Sequence, residues 1–124
     1  MLYKIGIVGC GGIAQVHAAA LARLENTQLI ACADIRPERA QAMAEKYGCR
    51  AYASMEEMLE KESLDAVHLC TPHYLHTPMA QRAAEKGLAV FTEKPPVINR
   101  EQWAQLEEAA KKTPLGVCFQ NRYN

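Results

Sequence analysis

The chain has 124 residues, of which 49% are hydrophobic and 23% are charged, a composition typical of one ordinary globular domain. Its 14 basic residues balance its 14 acidic residues, so no overall positive field would attract nucleic acid or an anionic membrane surface. Because it shows neither a charged leader nor the roughly 18 uninterrupted apolar residues of a membrane-spanning helix, we expect a cytoplasmic protein with no nucleic-acid or membrane partner.

Short apolar runs alternate with longer helical patterns from one end of the chain to the other, which is typical of repeated βαβ units. Most of these runs are nearly continuous in apolar residues, as expected of strands covered on both faces. We therefore predict an α/β fold with a doubly wound, mainly parallel six-stranded sheet and helices on both faces. The predicted strands are Tyr3–Val8, Gln28–Ala33, Arg50–Tyr52, Asp65–Cys70, Ala89–Thr92 and Leu115–Phe119.

The helices between the strands carry start and stop signals. Pro37 suits the first turn of the second helix, and Gly48 ends that helix. Ser54 with Glu57 three residues later forms a capping box at the start of the third helix. These signals predict helices directly after the second and third strands.

The last two helices are predicted from the same kinds of signal. The fourth is expected to begin around Thr77 and Pro78 and to stop at Gly87. Asn99 with Gln102 predicts a second capping box at the start of the fifth. The buried stripe of this last helix would consist of Trp103, Leu106, Ala109 and Ala110.

The cysteines and two of the histidines are interpreted as packing residues. The cysteines are odd in number, lie far apart and form no CxxC pair, so we expect buried reduced thiols and no metal site. His17 lies in the first predicted helix and His68 inside the fourth predicted strand, where packing is the expected role. The cysteines are Cys10, Cys32, Cys49, Cys70 and Cys118.

A glycine-rich turn joins the first strand to the first helix. Residues 9–14 read GCGGIA and match the pattern GxGxxG/A. Gly9 would permit a tight turn, Gly11 would let the backbone approach a pyrophosphate, and Ala14 would allow close packing of helix and strand. Gly12 and Ile13 would supply amides at the positive end of the helix dipole. The turn alone is a weak indication, because a purely structural turn would look the same.

An acidic residue follows the second strand at the expected distance from the turn. Asp34 lies 20 residues after Ala14, where a carboxylate accepts hydrogen bonds from the adenosine ribose in a Rossmann dinucleotide site. We therefore predict that Asp34, with its neighbours Ile35 and Arg36, binds NAD rather than NADP, since a carboxylate repels a 2′-phosphate. Arg36 could instead pair with that phosphate, and Asp34 could simply cap the next helix.

Two more loops follow strand ends, where ligands bind in open α/β sheets. They read CTPHYLH at residues 70–76 and TEKPP at residues 92–96, and the chain closes with QNRY at residues 120–123. With the glycine turn and Asp34, these segments resemble the amino-terminal domain of the glucose-fructose oxidoreductase and inositol dehydrogenase family, often called Gfo/Idh/MocA. The resemblance covers essentially all of the chain, and the EKP segment is its most distinctive part.

The resemblance implies an oxidoreductase that transfers a hydride between NAD(H) and a sugar, polyol or related alcohol. It implies that Lys94 acts beside the reacting carbon and that Glu93 and Lys94 reach the nicotinamide riboside. His76 would lie near the adenylate or pyrophosphate. The other residues expected at the cofactor are Thr71, Pro72, His73 and Arg122.

Members of this family continue into a second α/β domain that supplies most of the substrate pocket. We expect residues 1–124 to be the dinucleotide-binding domain alone, inactive by itself and able to self-associate through Val97, Trp103 and Phe119. Two alternatives remain open: a non-catalytic NAD-binding sensor or interaction module, and a methyltransferase with a similar glycine turn. The second would leave the EKP segment and the closing segment unexplained.

Overall fold

Strands and helices alternate along the whole of the chain that the computed structural model describes, which comprises residues 2–71, 73–93 and 100–118. The strands in these ranges are β1 (Tyr3–Val8), β2 (Thr27–Ala33), β3 (Arg50–Tyr52), β4 (Ala66–Leu69), β5 (Ala89–Glu93) and β6 (Leu115–Cys118). The helices are α1 (Gly12–Arg23), α2 (Pro37–Tyr47), α3 (Met55–Lys61), α4 (His73–Glu85) and α5 (Arg100–Lys112).

All six described strands form one parallel sheet in the order β3-β2-β1-β4-β5-β6. The chain winds outward from β1 to β3, crosses back to β4 on the other side of β1, and winds outward again. The reversal between β1 and β4 is the topological switch point, where open α/β sheets bind their ligands. The predicted doubly wound α/β fold with six strands is confirmed.

Helices cover both faces of the sheet because neighbouring residues of each strand point to opposite sides. Ile7 of β1 packs in a core with α1 and α2, whereas the next residue, Val8, packs in a second core with α3 and α4. Cys32 of β2 joins the first core, and its neighbours Ala31 and Ala33 join the second. The two cores explain why the strands read as nearly continuous apolar runs.

The predicted signals for α2 and α3 are confirmed. Pro37 is the first residue of α2, and Gly48 ends it with φ of +69°, a left-handed conformation that favours glycine. The hydroxyl of Ser54 accepts a hydrogen bond from the backbone N–H of Glu57 at 3.1 Å. This bond satisfies one of the free amides at the start of α3.

The predicted start of α4 is wrong by about one turn. The helix begins at His73, so Pro78 lies inside it rather than in its first turn. Proline has no N–H, which deprives the carbonyl of Tyr74 of its usual helical donor. Ala80, Ala83 and Ala84 are all buried, and this packing holds the helix on the sheet despite the lost bond.

The predicted start of α5 at Asn99 lies outside the described residues, as does Phe119 at the end of the last predicted strand. Of the predicted buried stripe of α5, the structure describes the side chain of Ala109 alone, which is buried as expected. In the described ranges no helix has both the length and the apolar character needed to cross a membrane.

Candidate functional site

The glycine turn takes its shape from close contact between the ends of three strands. Gly9 has φ of +88°, and its N–H donates to the carbonyl of Ala33 at the end of β2 at 2.8 Å. A Cβ at this position would lie 2.7 Å from the backbone oxygen of Cys70, which follows β4. Glycine is therefore required here both by the backbone conformation and by the lack of space.

Gly11 is favoured for a different reason. Its φ of −81° and ψ of −162° are open to any residue, so the backbone conformation does not require glycine. It stands directly before α1, whose first turn contains no acidic side chain. The bare backbone at the positive end of this helix can approach an anionic group closely.

Asp34 ties the end of β2 to the glycine turn. Its Oδ2 accepts a hydrogen bond from the backbone N–H of Cys10 at 2.7 Å, and its Oδ1 accepts one from the N–H of Arg36 at 2.8 Å. Carboxylate oxygens have room for further donors, so neither bond prevents contact with a ribose hydroxyl. The side chain is half-buried at the mouth of a cleft.

The cleft has a volume of about 370 Å³ and opens at the carboxyl ends of the strands. Of the residues predicted to bind the cofactor, it brings together Gly9, Gly11, Asp34, Ile35, Arg36 and Thr71. Gly12 and Ile13 start α1 but do not line the cleft. The roles of these two residues remain predictions.

Several predicted residues cannot be placed at the cleft. Pro72, Lys94 and Arg122 lie outside the described residues. The backbones of His73, His76 and Glu93 are described, the first two in α4 and the third at the end of β5, but their side chains are not.

The cleft also contains residues that the sequence analysis missed. Arg39 of α2 lines it, as do Ala53, Ser54, Met55 and Glu56 after β3 and Leu75 and Met79 of α4. The loop after β3 leaves the carboxyl end of a parallel strand, so the rule applied to the fourth and fifth strands would have found it. Arg39 gave no such signal, because it reaches the cleft through the packing of α2 on the sheet.

His17 and His68 pack against each other away from the cleft. Their Nδ1 atoms are 2.9 Å apart, and the ring of His68 stacks on Phe91 with the ring centroids 5.0 Å apart. Burial, with a smaller contribution from His17, lowers the pKa of His68 from 6.5 to about 4. The prediction that both are packing residues agrees with this arrangement.

Among the described cysteines, Cys10 and Cys32 are buried, and Cys49 and Cys70 are half-buried. The hydrogen-bonded thiol of Cys10, together with burial, raises the pKa of Cys32 to about 12. Cys32 therefore stays protonated at neutral pH and behaves as a small apolar core residue.

Comparison with known proteins agrees with this geometry. Residues 3–120 match a family model described as an oxidoreductase family with an NAD-binding Rossmann fold. The chain is 35% identical to inositol 2-dehydrogenase of Rhizobium meliloti over 126 residues and 37% identical to D-glucoside 3-dehydrogenase of Escherichia coli over 127 residues. These alignments cover 100% and 97% of the chain.

Solved structures give the same result. The WlbA dehydrogenase of Bordetella pertussis, determined in complex with NADH and UDP-GlcNAcA, superposes with a TM-score of 0.93 at 33% identity. That match covers 100% of this chain and 39% of the other. The chain likewise spans 38% and 35% of the length of the two curated relatives. The chain belongs to the Gfo/Idh/MocA oxidoreductase family, and its residues 3–120 match the family's NAD-binding Rossmann fold.

Proposed function

We propose that this chain is the NAD(H)-binding domain of an oxidoreductase that transfers a hydride between nicotinamide and a sugar, polyol or related alcohol. The observation that carries the proposal is the convergence of Gly9, Gly11, Asp34 and Thr71 on one cleft at the switch point of the sheet. The inositol and glucoside dehydrogenases among its relatives support the substrate class.

The turn before α1 is suited to the pyrophosphate of the cofactor. Gly11 places no side chain between the backbone and the phosphate oxygens, and the free amides of Gly12 and Ile13 supply donors at the positive end of the helix. No carboxylate in the first turn competes for these amides. This end of the cleft fits an anion held largely by the backbone.

The other end of the cleft is suited to the adenosine. Asp34 would accept hydrogen bonds from the ribose hydroxyls, which favours NAD over NADP. Ile35 beside it is 88% exposed, which is unusual for a large apolar side chain at a cleft. We infer that it covers one face of the adenine ring when the cofactor is bound.

The chemistry would occur beyond the fourth and fifth strands. Bound nicotinamide would exchange a hydride with the substrate at its C4 atom. On the family resemblance, Lys94 lies beside the reacting carbon, where its positive charge would stabilise a developing alkoxide or help to move a proton. The same resemblance assigns Pro72, His73, His76, Glu93 and Arg122 to the cofactor site.

The substrate pocket itself would be supplied by a further domain, as the length of the relatives suggests. A cytoplasmic location and self-association through Val97, Trp103 and Phe119 remain predictions. Sedimentation of the chain over a range of concentrations tests the second. A monomer at every concentration would contradict it.

Calorimetric titration with NADH tests the cofactor site, with Gly11→Ala as the diagnostic variant. The added methyl group would meet only the flexible end of Arg39, at 3.5 Å. The substitution should therefore lower the free energy of unfolding by no more than about 1 kcal/mol. NADH affinity should fall by about tenfold or more because the methyl group obstructs the pyrophosphate.

Val16→Ala is the matched control, because Val16 is an exposed residue of the same helix that does not line the cleft. It should bind NADH as the unmodified chain does. A folded chain that binds no NADH, or a Gly11→Ala variant with unchanged affinity, would contradict the proposed site.

A further inference from the structure

Glu62, which directly follows α3, carries a nearly buried carboxylate although it does not line the cleft. Its side chain is 6% exposed. The guanidinium of Arg50 donates to both carboxylate oxygens, and the hydroxyl of Tyr52 donates to one of them. The hydrogen bond from Arg50 lowers the pKa of Glu62 despite its burial, so the group is ionised at neutral pH.

These bonds hold the edge strand β3 at both of its ends. Arg50 and Tyr52 are its first and last residues. The strand has three residues and pairs with β2, so the backbone bonds that hold it are few. Side-chain contacts add to the stability of strand pairing, and here Glu62 supplies them to both ends of a short edge strand.

The backbone of β3 in turn holds Asp34. The N–H of Asp34 donates to the carbonyl of Tyr52 at 3.2 Å, and the Asp34 carboxylate accepts from the N–H of Cys10 at 2.7 Å. The residues that follow Tyr52, from Ala53 to Glu56, line the cleft. A displacement of Tyr52 would therefore move both the predicted ribose ligand and the cleft wall beside it.

Glu62 itself is anchored by α3. Its N–H donates to the carbonyl of Met58 at 2.9 Å, at the end of that helix. The side chains of Met55, Met58 and Leu59 are buried and fix α3 on the sheet. The carboxylate thus joins the edge strand to a helix whose position is determined by core packing.

We propose that Glu62 is a positioning residue for the adenosine end of the cofactor cleft. By holding Tyr52, it would keep Asp34 where its carboxylate meets the ribose and would keep the wall from Ala53 to Glu56 in place. The inference rests on the proposed cofactor site and goes beyond it by assigning a role to a residue outside the cleft.

The test compares dissociation constants for NADH and for ADP-ribose, which keeps the adenosine and pyrophosphate but lacks nicotinamide. Glu62→Ala removes the carboxylate, Glu62→Gln keeps an oxygen that accepts from Tyr52, and Tyr52→Phe removes the hydroxyl alone. Glu57→Ala is the matched control, since Glu57 lies on α3, pairs with Lys61 at 3.9 Å and does not line the cleft. Circular dichroism establishes that each variant is folded.

Glu62→Ala should weaken binding of NADH and of ADP-ribose alike, by about fivefold or more, because both ligands carry the adenosine. Glu62→Gln should lose less than Glu62→Ala, and Tyr52→Phe should add no further loss to Glu62→Ala. Glu57→Ala should bind both ligands as the unmodified chain does.

Backbone amide chemical shifts of the unliganded chain supply a readout that a general loss of stability would not produce. In Glu62→Ala the amides of Asp34 and Cys10 should shift, because their hydrogen bonds depend on the placement of Tyr52. The amide of Thr71, at the end of β4, should stay in place.

Unchanged NADH affinity in folded Glu62→Ala would overturn the inference, and so would an equal loss in Glu57→Ala. Weaker NADH with unchanged ADP-ribose would place the effect at the nicotinamide end and would also contradict it. If Glu62→Ala did not fold, Glu62→Gln and Tyr52→Phe would decide, since unchanged affinity in both would overturn the inference. In each of these cases the proposed function would stand, whereas an unmodified chain that is folded and binds no NADH would overturn both.

Discussion

The carboxylate of Asp34 accepts a hydrogen bond from the backbone N–H of Cys10 at 2.7 Å, across 24 residues of sequence. This bond joins the end of β2 to the glycine turn, so the predicted ribose ligand also positions the predicted phosphate-binding loop. Asp65 makes a comparable bond away from the cleft, where its Oδ2 accepts from the N–H of Lys4 at 2.8 Å. The two aspartates allow the binding role of Asp34 to be separated from its structural role.

Asp34→Ser should relax the preference for NADH over NADPH. Serine keeps a hydrogen-bonding oxygen but removes the negative charge that opposes a 2′-phosphate, so the ratio of the two dissociation constants should fall by about tenfold. Asp65→Ser, the control, removes a carboxylate that accepts a backbone amide hydrogen away from the cleft, and it should leave the ratio unchanged. If the unmodified chain and Asp34→Ser had the same ratio of dissociation constants for NADH and NADPH, Asp34 would have no role in cofactor selection.

Gly9→Ala should destabilise the fold more than Gly87→Ala does. Both glycines have positive φ, at +88° and +79°, so both substitutions incur the left-handed strain of about 1–2 kcal/mol. At Gly9 the new Cβ would also lie 2.7 Å from the oxygen of Cys70, whereas nothing lies within 4 Å at Gly87. Overlap of this kind costs roughly 1–3 kcal/mol more.

Urea denaturation of the two glycine variants measures this difference in the free energy of unfolding. Gly87→Ala serves as the control for backbone strain. Equal losses in the two variants would show that the turn has room to move and that close contact with Cys70 does not fix its shape.

Stability should fall as the pH is lowered through the range in which His68 titrates. In the folded chain its pKa is lowered to about 4, so at pH 5 the ring is neutral in the folded chain and protonated in the unfolded chain. The unfolded chain therefore binds more protons below pH 6.5, and stability drops as the pH falls from 6.5 towards 4. Between pH 7 and pH 5 this single group accounts for roughly 2 kcal/mol.

His68→Leu isolates this contribution. The variant removes the titrating ring, so its free energy of unfolding, measured in urea at several pH values, should fall less steeply on acidification than that of the unmodified chain. It is also expected to be less stable at pH 7, because the nitrogen of His17 loses its partner at 2.9 Å. Parallel pH profiles would show that His68 does not carry the acid sensitivity.

Lys94→Ala should affect catalysis and leave cofactor binding nearly intact. In the isolated chain we expect NADH affinity and stability to be almost unchanged, the latter within roughly 0.5 kcal/mol, as for surface substitutions. In a longer protein with a substrate domain, turnover should fall about 10²–10³-fold, by analogy with loss of a charge-stabilising donor. Lys86→Ala is the control, since Lys86 is an exposed lysine before β5. If Lys94→Ala kept its turnover, Lys94 would have no catalytic role.

Much of the fold could be predicted from local signals. The carboxyl-terminal halves of β1 and β2 are buried on both faces and read as apolar runs. Pro37 marks the start of α2, Gly48 marks its end, and Ser54 marks the start of α3. The start of α4 could not be predicted in this way. Pro78 looks like a first-turn residue, but burial of the alanines that follow it outweighs the hydrogen bond that it removes.

The site was predictable where one segment carries its own pattern, as in the glycine turn, or where strand and acid keep a fixed spacing, as with Asp34. Arg39 and Met79 carry no such pattern, because they reach the cleft only through the packing of α2 and α4 on opposite faces of the sheet. The bond between Asp34 and Cys10 likewise depends on the contact of β1 with β2.

The most direct test of the account is the location of NADH on the chain, followed by backbone amide chemical shifts during a titration. The account predicts that the shifts change at Gly9–Ile13, Asp34–Arg36 and Thr71, which lie together at the carboxyl ends of β1, β2 and β4. Amides at the opposite ends of the strands, such as Lys4, Asp65 and Ala89, should stay in place. Changes confined to these last residues, or no changes at saturating NADH, would contradict the claim that this cleft is a dinucleotide site.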